Sequence, residues 1–225
     1  EQAAAETGGR LPRFVPGADE DEFAAKMNEA QGREVIGQLI DAAGDMDLVA
    51  EIMGDMPAYM SRTLEELGLA NLAFPQLERG ADGRIKLPSE FRELSLVAYA
   101  NHDNAPLAQL FVPYESGAAE LDHSAPAALL EFAGESVADF QQFDAGTLAA
   151  LQLALFQTSS RLAVLMCSDL LGLRLRFNLP GSYGEGTWSD RMDMTLHEFR
   201  RHPEYGPRIE KVSQAITDTG RGSAF

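Results

Sequence analysis

One pattern constrains this chain more than any other: a short apolar run followed by an amphipathic stretch, about four times over. Asp47 to Met53, Leu69 to Phe74, Leu94 to Ala100 and Leu162 to Met166 each read as a buried strand. Between them lie stretches with helical spacing. Strands that alternate with helices form a parallel sheet with helices covering it. A closed eight-stranded barrel of this type takes about 250 residues. Here 225 residues hold about half the strands, which predicts an α/β fold amounting to half of a (β/α)8 TIM-type barrel, about four βα units.

Glycine and proline punctuate the rest. Residues 1–18 read as a loop broken by Gly8, Gly9, Pro12, Pro16 and Gly17. Phe23, Met27, Val35, Ile36, Leu39 and Ile40 then recur at helical spacing to Ala43, with Gly32 expected to divide two helices and Gly44 to close the second. Pro57 is expected at the first position of a helix that Gly68 stops. Arg79 to Arg84 reads as a turn, Pro88 to Arg92 as a short helix, and 104–123 as a long polar connection. Helices follow at 126–135 and 145–157, the second capped by Asp144. The expected domain plan is a loop at 1–18, a half-barrel catalytic region at 19–215, and a flexible glycine-rich tail at 216–225.

Two of the strands end in acids. The run Leu94 to Ala100 leads into Asn101-His102-Asp103, and Asp47-Leu-Val-Ala leads into Glu51. Carboxylates at the ends of two strands suggest a catalytic centre, because parallel barrels build active sites at their C-terminal strand ends. A glycosidic bond is cleaved by such a pair, one protonating the leaving oxygen while the other attacks or activates water. Further polar groups hold sugar hydroxyls. Glu51 and Asp103 fit that chemistry, and His102 can bond a hydroxyl. The plainer alternatives are that Glu51 caps a helix or pairs with a cation, that Asp103 forms an Asx turn ahead of Pro106, and that His102 is structural.

Charge and cysteine content narrow the partners. A net charge of −17 repels phosphate backbones, so no nucleic-acid partner is expected. Lysine occurs only at Lys26, Lys86 and Lys211. No run approaches the roughly 18 apolar residues of a bilayer span, so no membrane partner is expected either. The lone Cys167 excludes an internal disulfide framework and favours a cytoplasmic location. It sits in the run Leu162 to Cys167 and reads as buried packing. The first residues carry neither an initiator methionine nor a signal-peptide pattern, so the chain reads as starting partway through something.

Four segments, in order, resemble the C-terminal half of the 4-alpha-glucanotransferases, the amylomaltase or disproportionating-enzyme family related to the alpha-amylase clan. They are Val49-Ala-Glu51-Ile-Met-Gly54 with Met56-Pro57 and Leu64-Glu-Glu-Leu-Gly68, and Val97-Ala-Tyr-Ala-Asn-His102-Asp103 with Pro106-Leu107. Next come Arg161-Leu-Ala-Val-Leu165 with Ser168-Asp-Leu-Leu-Gly172, and Phe177-Asn-Leu-Pro-Gly-Ser182 with Trp188 and Arg191. The resemblance covers roughly residues 45 to 195.

The resemblance implies that Glu51 is the general acid/base and that Asp103 stabilises an oxocarbenium-like state. It implies that His102, Asn101 and Asn178 contact the sugar, and that neither metal nor organic cofactor takes part. Trp188 and Arg191 read as structural, an aromatic packed under an arginine. The sequence departs from the family at Asn101, where threonine or serine is usual, at Ile52-Met53, and at Ser182-Tyr183. The largest departure is the family's nucleophile, an aspartate in an Arg-x-Asp-His element. Asp19, Asp21, Asp41, Asp45 and Asp47 all precede Glu51, and none stands in that setting.

The leading expectation is therefore an alpha-1,4-glucan transferase acting on malto-oligosaccharides by retaining double displacement. Its nucleophile would come from an N-terminal half-barrel on the same or a second chain. A non-catalytic half-barrel that binds glucan or a protein is the second expectation. A related hydrolase that transfers to water is the third.

Overall fold

The computed structural model describes residues 15–52, 56–112, 124–184 and 187–223. The expected loop up to residue 14, the strand end at Met53 and Gly54, residues 113–123 of the 104–123 connection, and the last two residues of the tail lie outside those residues. The chain divides into two compact units, Glu1–Asn71 and Leu72–Phe225.

In the first unit, α1 (Glu22–Ala43) begins where the Asp21 carboxylate accepts the Ala24 N–H at 2.8 Å and ends at Gly44, whose φ is 58°. Gly32 does not divide it. A glycine in a helix costs only about 1 kcal/mol relative to alanine, and the flanking turns outweigh that cost by pairing with α2 (Ala58–Glu66). Glu29 is the hub of that pairing. It accepts from Arg33 at 2.8 Å, from Thr63 at 3.0 Å and from Arg62 at 3.2 Å, and Arg33 also reaches Glu66 at 2.5 Å. Bonding to Arg33 and then Thr63 holds the Glu29 carboxyl below the usual carboxylate range. The two helices therefore meet through polar groups. No α1 residue is fully buried, and Phe23 is 74% exposed.

Pro57 occupies the cap position of α2, one place earlier than expected. At the other end Gly68, with φ 67°, donates to the Glu65 carbonyl at 3.1 Å while Leu69 donates to Leu64 at 2.9 Å. This pair of crossed bonds reverses the chain into the next strand. β1 (Val49–Ala50) is shorter than expected and pairs in parallel with β2 (Ala70–Ala73), Val49 opposite Ala70 and Ala50 opposite Asn71. β2 runs across the boundary between the units.

The second unit carries the core. β3 (Ser95–Ala98) and β4 (Leu162–Val164) pair in parallel, Val97 opposite Ala163, and the strand order is β1-β2-β3-β4. A parallel pair needs a long crossover. Here α3 (Leu107–Leu110), α4 (Ser124–Phe132) and α5 (Ala145–Phe156) lie between the two strands in sequence. Val97, Tyr99, Leu107, Phe111, Leu129, Leu151 and Leu155 are fully enclosed. Phe132 meets Phe91 and Tyr99 edge-on at 5.7 and 6.2 Å. Asp144 caps α5 as expected, accepting from Gly146 at 2.8 Å and Thr147 at 2.9 Å. β4 presents Leu162 and Val164, 42% and 45% exposed, on a strand at the end of that order.

β4 stops at Val164, two residues before the expected strand end at Met166, and the chain changes to a helix, α6 (Cys167–Leu171). This change corrects the reading of Cys167. Its side chain is exposed on the first turn, while Ser168 and Asp169 turn inward and are buried. Helices α7 (Leu196–Arg201) and α8 (Tyr205–Asp218) follow. Their junction requires Gly206, because a Cβ there would lie 2.7 Å from the Arg200 carbonyl oxygen.

Within 216–225, α8 runs on to Asp218 and the Arg221 side chain turns back onto the unit. Its guanidinium donates to the carbonyls of Phe156 at 2.6 Å, Thr158 at 2.5 Å and Ser160 at 2.8 Å. These three carbonyls run from the last residue of α5 toward the start of β4. Hydrogen bonds from a charged group contribute about 1.5–3 kcal/mol. Arg221→Ala should destabilise the protein by about 2 kcal/mol in urea unfolding. Arg221→Lys, which cannot fork across three acceptors, should recover less than half of that loss.

Candidate active site

The end of β3 is held at fixed depth. Tyr99 is fully buried, its hydroxyl donates to the Leu151 carbonyl, and its own carbonyl accepts from Gln76 Nε2 at 2.9 Å. Ala100 is the last buried residue before the chain emerges at Asn101. The Asn101 Oδ1 accepts the Asp103 N–H at 2.9 Å and the Asn104 Nδ2 at 2.8 Å. The Asx turn at this strand end thus belongs to Asn101, which leaves the Asp103 carboxylate available for other partners.

That carboxylate organises the site. Asn178 donates to its Oδ1 at 2.8 Å, and His102 Nε2 lies 3.2 Å from its Oδ2. Arg176 donates to the Asp103 main-chain carbonyl at 2.6 Å. Both the His102 and Asp103 side chains remain about half exposed, at 49% and 46%. A carboxylate held by an amide on one oxygen and an imidazole on the other keeps its negative charge in a set position while still open to a ligand. Such a group can accept a sugar hydroxyl or face a developing positive charge.

The loop is closed behind the site by Asp169. Its Oδ1 accepts the Leu107 N–H at 2.7 Å, which ends the Asn101–Pro106 loop on a buried acid of α6. Gln152 of α5 donates to the Asp169 and Leu170 carbonyls at 2.9 and 3.0 Å. Oδ2 of Asp169 is buried with no hydrogen-bond partner among the described residues. Burial pushes the Asp169 carboxyl up to about 6, against the opposing effect of the Leu107 bond.

Asn101, His102, Asp103 and Asn178 are therefore brought together within the second unit. Glu51 belongs to the first, where it directly follows Ala50 at the C-terminal end of β1 and is exposed. Arg176 and Asp169 were not anticipated. Nothing in their spacing marks them, since each acts on main-chain groups some 60 or more positions away.

The reading of Trp188 under Arg191 is corrected as well. Arg191 donates to the neighbouring carbonyls of Ser189 at 3.2 Å and Asp190 at 3.0 Å. The indole instead lies 5.2 Å from the His102 ring, tilted by 46°. Among the described residues no group of three or more His, Cys, Asp or Glu side chains could hold a metal. No described helix is long and apolar enough to cross a membrane.

The second unit thus places a carboxylate-centred polar cluster at the C-terminal end of a strand of a parallel α/β sheet. The family model for 4-alpha-glucanotransferase matches residues 14–195, and the chain belongs to that family. It is 25% identical over 209 residues to a 4-alpha-glucanotransferase of Chlamydia pneumoniae, covering 89% of this chain and 37% of the relative. The corresponding protein of Chlamydia caviae is 23% identical over 192 residues, at 83% and 35% coverage. The chain thus spans little more than a third of the length of these relatives.

Its fold is similar to that of the amylomaltase from Streptococcus agalactiae in complex with acarbose, with a TM-score of 0.60 at 19% identity, covering 84% of this chain and 35% of that one. It is also similar to the amylomaltase of Corynebacterium glutamicum, with a TM-score of 0.54 at 17% identity, covering 74% and 28%.

The buried acid gives a prediction for the loop. A carboxyl whose pKa is raised in the fold contributes stability that is fully present below about pH 4 and is lost as pH rises through about 6. The contribution is on the order of 3 kcal/mol. Asp169→Asn keeps an oxygen for the Leu107 N–H and removes the titration. Urea unfolding at pH 4.5, 6 and 7.5 should show the stability difference between wild type and variant changing across this window in the variant's favour. An unchanged difference would contradict the buried charge.

Proposed function

We propose that this chain supplies part of the active site of an alpha-1,4-glucan transferase acting by retaining double displacement on malto-oligosaccharides. The observation that carries the reading is the half-exposed Asp103 carboxylate at the end of a buried strand, fixed by Asn178 and flanked by His102. In that reading Asp103 stabilises the oxocarbenium-like ring, and its fixed charge requires little rearrangement as positive charge develops. His102, Asn101 and Asn178 hold the sugar. Glu51 protonates the leaving oxygen and then deprotonates the acceptor hydroxyl, with no metal or organic cofactor. The family match supports the general chemistry.

The glycosyl-enzyme intermediate needs a nucleophilic carboxylate. The aspartates ahead of Glu51 stand in no Arg-x-Asp-His setting. We therefore place the nucleophile on a partner half of the barrel, in the same or a second chain. β4 ends the described strand order and so leaves a sheet edge that suits further strands beside it, since an open edge is otherwise an aggregation hazard. Cytoplasmic residence is part of the same proposal. The second reading, a glucan-binding half-barrel without turnover, is favoured by the same missing nucleophile.

Glu51→Gln in the native gene product should lower disproportionation of maltotriose by at least about a thousandfold, the scale of a lost general acid/base combined with misplaced charge. Its circular dichroism should be unchanged. Asp103→Asn should lower turnover similarly and weaken malto-oligosaccharide binding much less. Full activity in Glu51→Gln would remove the transferase assignment. Binding without turnover in the wild type would favour the second reading.

A further inference from the structure

Trp188 is the one non-glycine residue among those described with a positive φ, at 62°. Side chains are disfavoured in that backbone region, and such residues cluster where a site holds them in place. The hold is visible. The Trp188 N–H donates to the Phe177 carbonyl at 2.8 Å, and the next residue along, Asn178, is the one that binds Asp103. Ser182 and Thr187 pair through their hydroxyls at 3.0 Å.

Trp188 is 56% exposed, and its ring lies 5.2 Å from the His102 ring. Burial cannot account for the residue, and Arg191 is bonded to carbonyls of its own loop. An exposed indole beside a carboxylate and an imidazole combines an apolar plane with hydrogen-bonding groups. A pyranose has matching parts: a face of C–H bonds and an edge of hydroxyls. Ligand sites of this kind combine aromatic walls with a few placed polar groups.

We infer that Trp188 is a stacking platform for a glucose ring of the bound glucan, adjoining the ring held by His102 and Asp103. This inference rests on the glucan-transferase reading and adds a binding residue to it. The strained φ aims the ring toward the site, and the His102 contact sets its tilt. Trp188 therefore serves substrate binding and takes no part in proton transfer.

Maltoheptaose titrations by calorimetry on the wild type, Trp188→Phe and Trp188→Gly test it. The phenylalanine variant keeps a ring in the strained position. The glycine variant removes the ring and the strain together. Binding should weaken by about threefold or less in Trp188→Phe and by at least tenfold in Trp188→Gly, with thermal unfolding of the glycine variant unchanged or raised. Trp188 is also the sole tryptophan of this sequence. The wild-type minus Trp188→Phe emission difference should shift to the blue as sugar covers the indole. Wild-type affinity in Trp188→Gly, or an emission difference indifferent to sugar that calorimetry shows to be bound, would overturn the inference and leave the functional reading intact. No maltoheptaose binding by the wild type would overturn both.

Discussion

One hydrogen bond, from the Leu107 N–H to the buried Asp169 carboxylate at 2.7 Å, sets the far end of the loop on which the candidate site depends. The near end is set by Tyr99, locked between Leu151 and Gln76. Between these two buried anchors only Ala100 to Pro106 are free to shape themselves, and the Asn101 Asx turn takes up that freedom. The result is an exposed carboxylate with a fixed position. A loop pinned at both ends in the core can present charge to solvent without being moved by it.

The cost of that design is an acid inside the core. Among the described residues one oxygen of Asp169 finds no hydrogen-bond partner, and burial raises its carboxyl to about 6. An asparagine there could also accept the Leu107 bond. Functional sites retain local conflicts of this sort more often than plain scaffold does. The strained Trp188 backbone, two loops further along the chain, is a second conflict, at the same cluster. Both lie within contact of the residues that hold Asp103 or of the loop that carries it.

Much of this architecture is legible in the sequence, for reasons that can be named. The four strands declare themselves as apolar runs, and the Asp144 cap and the Gly44 and Gly68 stops are local chemistry that acts within a few residues. Asn101, His102 and Asp103 are legible because a strand end exposes whatever follows it. What stays hidden is non-local or depends on a change of period. Gly32 remains helical because Glu29 is held by α2 residues more than thirty positions away. Cys167 is exposed because the chain coils just before it. Arg176, Asp169 and Trp188 become visible only when the two loops are set beside each other. The reach of Glu51 is a further matter, since it stands in the other unit.

The central claim is that the Asp103 cluster is where a glucan binds. The most direct measurement is the NMR signal of the Asn178 side-chain amide during a maltoheptaose titration. The account predicts that this amide and the His102 ring protons shift together with a single saturation curve, because sugar must compete for or bridge the 2.8 Å bond to Asp103. Saturable binding that leaves both signals unmoved, and shifts residues elsewhere, would place the glucan site in another part of the molecule and contradict it.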